Sequence, residues 1–342
     1  MTFALAVQAT QQAADRSIGT PLLWAGFLTF VALMLLLDLG VFHRKAHEIR
    51  IREAVGWTIV WITLALLFNA GIWFLGGEAR HELAIQFLTG YLIEKALSVD
   101  NIFVFIIIFS FFRVPPAYQH RVLFWGILGA LFMRGLFIWA GWELIEKFHV
   151  MIYIFGGFLI FTGIRILLPK AEEFHPERNI GVRLFRRLFR VAPVESKSGP
   201  VDYGPRFLVK IDGRTFATPL LMVLFVVEVT DVIFAVDSIP AILVISKDPF
   251  IIYTSNIFAI LGLRALYFVV GGMMDRFHYL KIGLGLILVF IGIKMASQDL
   301  IEEKLGHELS PVVSLAVVVA LLAGSIVASL LRPRQASPGT PP

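Results

Sequence analysis

Five carboxylates interrupt runs that are otherwise apolar: Glu94 and Asp100 in one stretch, Glu228, Asp231 and Asp237 in another. The two stretches, Glu94-Lys95-Ala96-Leu97-Ser98-Val99-Asp100-Asn101 and Asp231-Val232-Ile233-Phe234-Ala235-Val236-Asp237-Ser238, share one pattern. Each reads acid, five residues, acid, then an amide or a hydroxyl. A carboxylate at the centre of a membrane helix costs roughly 2.5–3.5 kcal/mol on insertion scales, so acids kept there bind a cation, carry protons or pair with a base. Two bases lie inside apolar runs of their own, Arg134 and Arg264. Arginine is always charged and grips carboxylates bidentately, which suits a permanent strut. Five acids against two arginines nevertheless leave a surplus of negative charge. That surplus predicts a site for a metal ion or for protons.

The expected ligands are Glu94, Asp100, Asn101, Glu228, Asp231, Asp237 and Ser238, with Arg134 and Arg264 as charge partners. All are oxygen donors, and there is no cysteine. The histidines fall in loops or near span ends. Oxygen-only sites suit hard cations such as Mn²⁺, Mg²⁺ and Ca²⁺ and disfavour copper and zinc. Residues six apart on a helix differ by about 240°, so Asp231 and Asp237 converge only if their helix is interrupted. Pro240 removes a backbone hydrogen bond and predicts such a break. Glu228 and Asp231, three apart, share a face. Asp38 either pairs with Arg44 or Lys45 or lines a cytoplasmic exit. Asn69 and Asn256 read as interhelical hydrogen bonds rather than ligands.

The elements that hold these residues must be membrane helices. The chain is 58% hydrophobic and 16% charged, against about 25% charged in soluble domains, and its mean hydropathy is +0.80. Apolar runs of about 20 residues, enough to cross a ~30 Å hydrocarbon core, recur from Leu22 to Leu331. We expect an all-α polytopic membrane protein of about nine spans, at 22–42, 55–75, 83–111, 122–141, 150–168, 217–246, 250–272, 280–296 and 311–331. The opening residues lack the basic start of a cleaved signal peptide. The net charge of +5 reflects basic loops rather than a nucleic-acid partner. Lys and Arg fall on alternating loops, above all His43–Arg52 and 169–216, which puts those loops in the cytoplasm. It leaves 1–21 outside, with 332–342 a cytoplasmic tail. Within the cytoplasmic loop 169–216, Val182–Arg190 reads as a basic amphipathic helix on the anionic inner leaflet; a partner-docking segment is the other reading. No protein partner is assigned.

The acid pattern is one landmark of a longer repeat. Gly129–Phe137, with Arg134, matches Ala259–Tyr267, with Arg264; Phe148-His149 matches Phe277-His278; and Phe161–Arg165 matches Phe290–Lys294. The landmarks keep their order over three spans, 83–168 and 217–297, flanked by two N-terminal spans within 22–75 and a last one at 311–331. Three is odd, so the second copy is inverted. Inverted repeats commonly build transporters with a midplane site.

These residues resemble a known family. Tyr91–Asn101, Glu228–Pro240 and Leu261–Ala265 are similar to the motifs of TerC integral membrane proteins. Asp38–Phe42 and Trp57–Leu64 resemble the Alx-like branch. The resemblance covers about Thr20 to Leu331. It implies kinship with a transporter group that includes the LysE exporters, Mn²⁺ export as the activity, a bacterial inner-membrane location, and a functional role for the same five acids.

The expectation is therefore an exporter of divalent cations, Mn²⁺ foremost, with the ion as substrate and no resident cofactor. No phosphate-binding loop for ATP is present, so protons are the expected driving force. The rivals are a scaffold that assists metal loading or insertion of exported proteins, and a proton or sodium antiporter. An intramembrane enzyme is disfavoured, since no His-Glu-x-x-His motif lies in a span.

Overall fold

The computed structural model describes residues 17–42, 51–75, 78–168, 180–193, 195–196, 199–200, 203–271, 279–299 and 310–331. The loop His43–Arg52 up to its last two residues, the side chain of Asp38, the Phe277-His278 pair and the tail 332–342 lie outside them. Among the described residues, eleven helices follow in order: α1 (Pro21–Phe42), α2 (Ile51–Leu75), α3 (Glu78–Phe111), α4 (Pro116–Lys147), α5 (Val150–Leu167), α6 (Ile180–Leu188), α7 (Pro219–Ile245), α8 (Pro249–Leu261), α9 (Leu263–Gly271), α10 (Leu280–Ala296) and α11 (Pro311–Leu331). Between α6 and α7 lie two small hairpins, β1 (Glu195–Ser196) with β2 (Gly199–Pro200), and β3 (Leu208–Ile211) with β4 (Arg214–Ala217). The tight turn of the second uses Asp212 and Gly213, both at positive φ, the backbone that an Asp-Gly pair adopts readily.

The chain is an all-α polytopic membrane protein. Among the described residues, α2, α4, α5, α7 and α11 are long and apolar enough to cross a membrane, and α8 with α9 form a sixth such segment bent by 43°. α3 carries Glu94, Lys95 and Asp100 within its apolar length, and α10 has 17 residues; composition and length alone do not mark either as a span.

Proline sets where several helices begin. Pro116, Pro219 and Pro249 occupy the first turns of α4, α7 and α8, where a missing N–H goes unnoticed and the fixed φ favours the helix. At α7 the Thr218 hydroxyl accepts from the Leu221 N–H. At α8 the Asp248 carboxylate accepts from Phe250 and Ile251. It also takes bonds from Ser17 Oγ at 2.7 Å and the Ile18 N–H at 2.8 Å, so the N-terminal segment is pinned to the start of α8.

Pro240 does not break its helix. α7 runs continuously from Pro219 to Ile245 with Pro240 buried inside it, contrary to the expected interruption. Packed neighbours let membrane helices absorb a proline, because the freed backbone groups find other partners. The bend falls instead at Gly262, between α8 and α9.

α3, α4, α7 and α8 form the centre. In α8 ten of thirteen residues are buried, whereas α2 and α5 face outward over most of their surface. One apolar core gathers Ile102–Phe109 of α3 with Leu220–Val227 of α7; another gathers Ile93–Leu97 with Ala235–Ile245. The acids sit at the seam between them. α5 and α10 pack backbone to backbone. A Cβ on Gly156 would lie 3.0 Å from the Gly292 carbonyl oxygen, and one on Gly163 would lie 2.6 Å from that of Gly285. The reciprocal approaches, Gly292 to Gly156 at 2.7 Å and Gly285 to Gly163 at 3.0 Å, are as close. The pairing 156–292 and 163–285 makes the two helices antiparallel.

Candidate functional site: an arginine-centred carboxylate cluster

Arg134 of α4 is the hub. Its guanidinium contacts the Glu94 carboxylate of α3 directly and lies 3.6 Å from Asp231 Oδ1 of α7. Nη1 also donates to Asn256 Oδ1 of α8 at 3.3 Å and to Ser238 Oγ of α7 at 3.4 Å. Three helices thus converge on one side chain of a fourth. Glu94, Asp231 and Arg134 are each under 5% exposed. Asn101 Nδ2 donates to Asp231 Oδ1 at 3.2 Å. An antiparallel crossing of α3 and α7 produces this pattern: Asn101 reaches the acid of the other stretch, while Ser238 reaches the base that holds Glu94.

The two buried acids face one guanidinium, and Lys95, next to Glu94 on α3, adds its field to Glu94. Asp231 Oδ2, Arg134 Nε and Ser98 Oγ are buried without a hydrogen-bond partner among the described residues. Buried polar atoms are normally satisfied. A carboxylate oxygen left open on Asp231, beside the Asn101 amide, is the donor chemistry a hard cation or water uses.

The remaining acids stand apart. Glu228, half-buried and one turn from Asp231, lays its carboxylate on Gly129 of α4, where a Cβ would collide with it. Asp237 accepts from Thr162 Oγ1 of α5 at 3.1 Å and lies in the field of Arg165 and Asp100. Asp100 lies 3.7 Å from Lys281 Nζ of α10. Among the described residues, no three Asp, Glu or His side chains form a group that could hold a metal ion. Helix geometry gives the reason. α3 and α7 are unbroken, so acids six apart point to different neighbours. Of the seven expected ligands, Glu94, Asn101, Asp231 and Ser238 come together around Arg134, and Asp100, Asp237 and Glu228 do not join them. Arg264 is 3% exposed, on α9 just beyond the bend. Asn256 makes the interhelical bond expected of it; Asn69 Oδ1 makes none among the described residues.

Lys95 is a member that the pattern of acids hides. Its Nζ donates to the Ala259 carbonyl at 3.1 Å, one of the acceptors exposed where α8 ends. A Cβ on Gly262 would lie 2.8 Å from Lys95 Nζ and 3.1 Å from Trp61 Cβ. Lysine at a helix C-terminus meets the negative end of the dipole. The only sequence signal was its place inside an apolar run next to Glu94.

A cavity of about 1190 Å³ opens at one end of the bundle, lined by His81 and Glu82 of α3, Glu146 of α4, Leu243 of α7, Lys294 of α10 and Pro311 of α11, among others. Leu243 and Ser238 are five residues apart, about 7.5 Å along α7, with buried Ile239 and Ile242 between them.

The sequence model of the integral membrane protein TerC family matches residues 79–337, which contain every residue of this cluster. The chain belongs to the TerC family. It is 52% identical over 320 residues to the membrane protein STKORF319 of Myxococcus xanthus, covering 94% of this chain and 95% of that one. It is 47% identical over 317 residues (91% and 94%) to a protein of Salmonella typhi provisionally named membrane-bound redox modulator Alx. The Escherichia coli K12 protein of the same name is 46% identical over 312 residues, 90% and 93% of the two chains. No solved structure matches.

Proposed function

We propose that the protein exports a divalent cation, Mn²⁺ foremost, across the bacterial inner membrane in exchange for protons. The observation that carries this reading is the buried Glu94–Arg134–Asp231 cluster, two carboxylates on one guanidinium with an open oxygen on Asp231. In a membrane interior such a charge is retained for traffic in cations or protons. The set of oxygen donors selects hard ions.

Nine spans and two inverted repeats, 83–168 and 217–297, form the scaffold in this proposal. Reciprocal packing supports it: α3 lies on α8, α4 on α7, and α5 on α10. Gly156 and Gly163 meet Gly292 and Gly285, and Gly163 matches Gly292 in the sequence repeat. The cavity supports the alternation of the spans, with the N-terminus taken as outside and the C-terminus as cytoplasmic in this proposal. It gathers the start of α3, the ends of α4, α7 and α10 and the start of α11, all of which alternating loops place outside. The structure then corresponds to a closed state, with Arg134 standing where the ion's charge would be. Asp231, Glu94, Asn101 and Ser238 take the ion when Arg134 withdraws; Glu228, Asp100 and Asp237 serve its approach or proton return.

Two of the relatives carry the name redox modulator, which fits an indirect effect of metal transport. With no cysteine, this chain has no thiol chemistry of its own, so an effect on redox balance would act through metal supply. The scaffold reading predicts a stable partner complex and no flux in pure liposomes. The deciding experiment is Mn²⁺ flux in proteoliposomes under an imposed pH gradient, comparing wild type with Asp231→Asn. Flux that depends on the gradient and on Asp231 is expected. Absence of flux in the wild type, or full flux in the variant, removes the proposal.

A further inference from the structure

The helix α6 presents three distinct sectors. Gly181, Val182 and Phe185 are buried, with the Phe185 and Phe189 rings against Phe225 of α7 at 5.4 and 6.2 Å. Arg183, Arg186 and Arg187 are exposed and fall within about 100° of one another around the axis, and exposed Arg190 follows just past the helix end. Between these two sectors runs a third, Ile180, Leu184 and Leu188, spaced by four and 65%, 41% and 62% exposed. A soluble helix would not leave that stripe bare beside its buried face.

Depth explains it. Phe225 lies six residues into α7, about 9 Å along its axis. α7 has 27 residues, about 40 Å, and so outruns a ~30 Å hydrocarbon core at its ends. α6 is therefore docked where α7 leaves the hydrocarbon, the level of headgroups and upper acyl chains. Its attachment is rigid. The Ala217 N–H donates to the Arg190 carbonyl at 2.8 Å, and the Ala192 N–H donates to the Ala217 carbonyl at 2.8 Å. Ala217 ends β4 and adjoins the Thr218 cap of α7. On the same side Arg121 lies over the Phe207 ring at 5.0 Å, next to exposed Arg206, and Arg214 is exposed at the hairpin turn.

We propose that α6 and the β3–β4 hairpin form a docking site for anionic phospholipid on the face opposite the cavity, with Ile180, Leu184 and Leu188 among the acyl chains and Arg183, Arg186, Arg187 and Arg190 on headgroup phosphates. Because α6 is fixed to the start of α7, the lipid bears on the helix that carries Glu228, Asp231 and Asp237. Charge complementarity selects the occupant: four arginines flanking an apolar stripe at interfacial depth match a lipid with an anionic head and a hydrocarbon tail.

The chain has no cysteine, so Leu188→Cys in the full-length protein gives a single reporter. The test compares its maleimide labelling in nanodiscs of phosphatidylcholine alone with that in nanodiscs containing phosphatidylglycerol. Labelling about five-fold slower or more with phosphatidylglycerol is expected, with that protection lost when R183Q, R186Q, R187Q and R190Q are added. Equal rates in the two lipids overturn the proposal, as does protection that survives the four glutamines. Protection by inorganic phosphate in phosphatidylcholine discs would overturn the lipid as occupant.

Discussion

α4 and the α8–α9 pair carry matching sequences, Gly129–Phe137 and Ala259–Tyr267, and treat them differently. α4 is one helix of 32 residues, and its Arg134 reaches acids on two neighbours. The partner is bent by 43° at Gly262, two residues before Arg264. The matched position in α4 is Phe132, which is 71% exposed. A bulky side chain directed outward thus stands where the other segment has a bare backbone pressed on Lys95 and Trp61. One arm is a rigid carrier of charge; the other is stapled at its start by Asp248 and jointed at its end. The bend, rather than Pro240, is where the two halves depart from each other.

Breaking the rigid arm has the largest expected effect. Arg134→Ala leaves Glu94 and Asp231 buried without the guanidinium that joins them, and removing one partner of a buried pair costs about 3–5 kcal/mol. Yield and thermal stability in detergent should collapse, and Arg134→Ala with Glu94→Gln and Asp231→Asn should recover much of the loss. Second is Gly262→Val, whose Cβ needs the space of Lys95 Nζ and Trp61. Overpacking of this kind costs about 1–3 kcal/mol, and Mn²⁺ flux should fall further than stability does, read as flux per folded molecule. Third, Lys95→Met frees the Ala259 carbonyl at the joint, a loss of about 1–3 kcal/mol for a buried acceptor; distance measurements between labels on α8 and α9 should show a broader range of bend angles. Smallest is Phe132→Ala, the matched position on the rigid arm, expected within about 0.5 kcal/mol in thermal melts as for other exposed sites. If Phe132→Ala and Gly262→Val proved equally damaging, the contrast between the arms would be lost.

Much of this was legible in the residues. Hydropathy marks the membrane helices, and the rarity of charge inside them singles out the acids and Arg134. Proline at positions 116, 219 and 249 starts three helices, a signal that spans drawn from hydropathy pass over. The joint was not legible, because one glycine among 28 says nothing of a break that depends on Lys95 and Trp61 from other helices. Pro240 misled for the converse reason: a local hydrogen bond is lost, and the surrounding packing outweighs it. The site was half legible. Its residue types follow from the cost of burial, but which acids meet depends on the crossing of α3 and α7. Asp212-Gly213 carried a hairpin signal that the polar character of its loop obscured.

The glycines of α5 and α10 bear on how such a molecule could alternate between faces. Where two backbones touch at Gly156, Gly163, Gly285 and Gly292, little side chain lies between them to slide or repack, so in the proposed transport cycle the pair moves as a single axle. Under the proposed function, the opening toward either side then falls to α3, α4, α7 and α8. A disulfide introduced across the axle should leave transport running, and one placed between α4 and α7 should stop it.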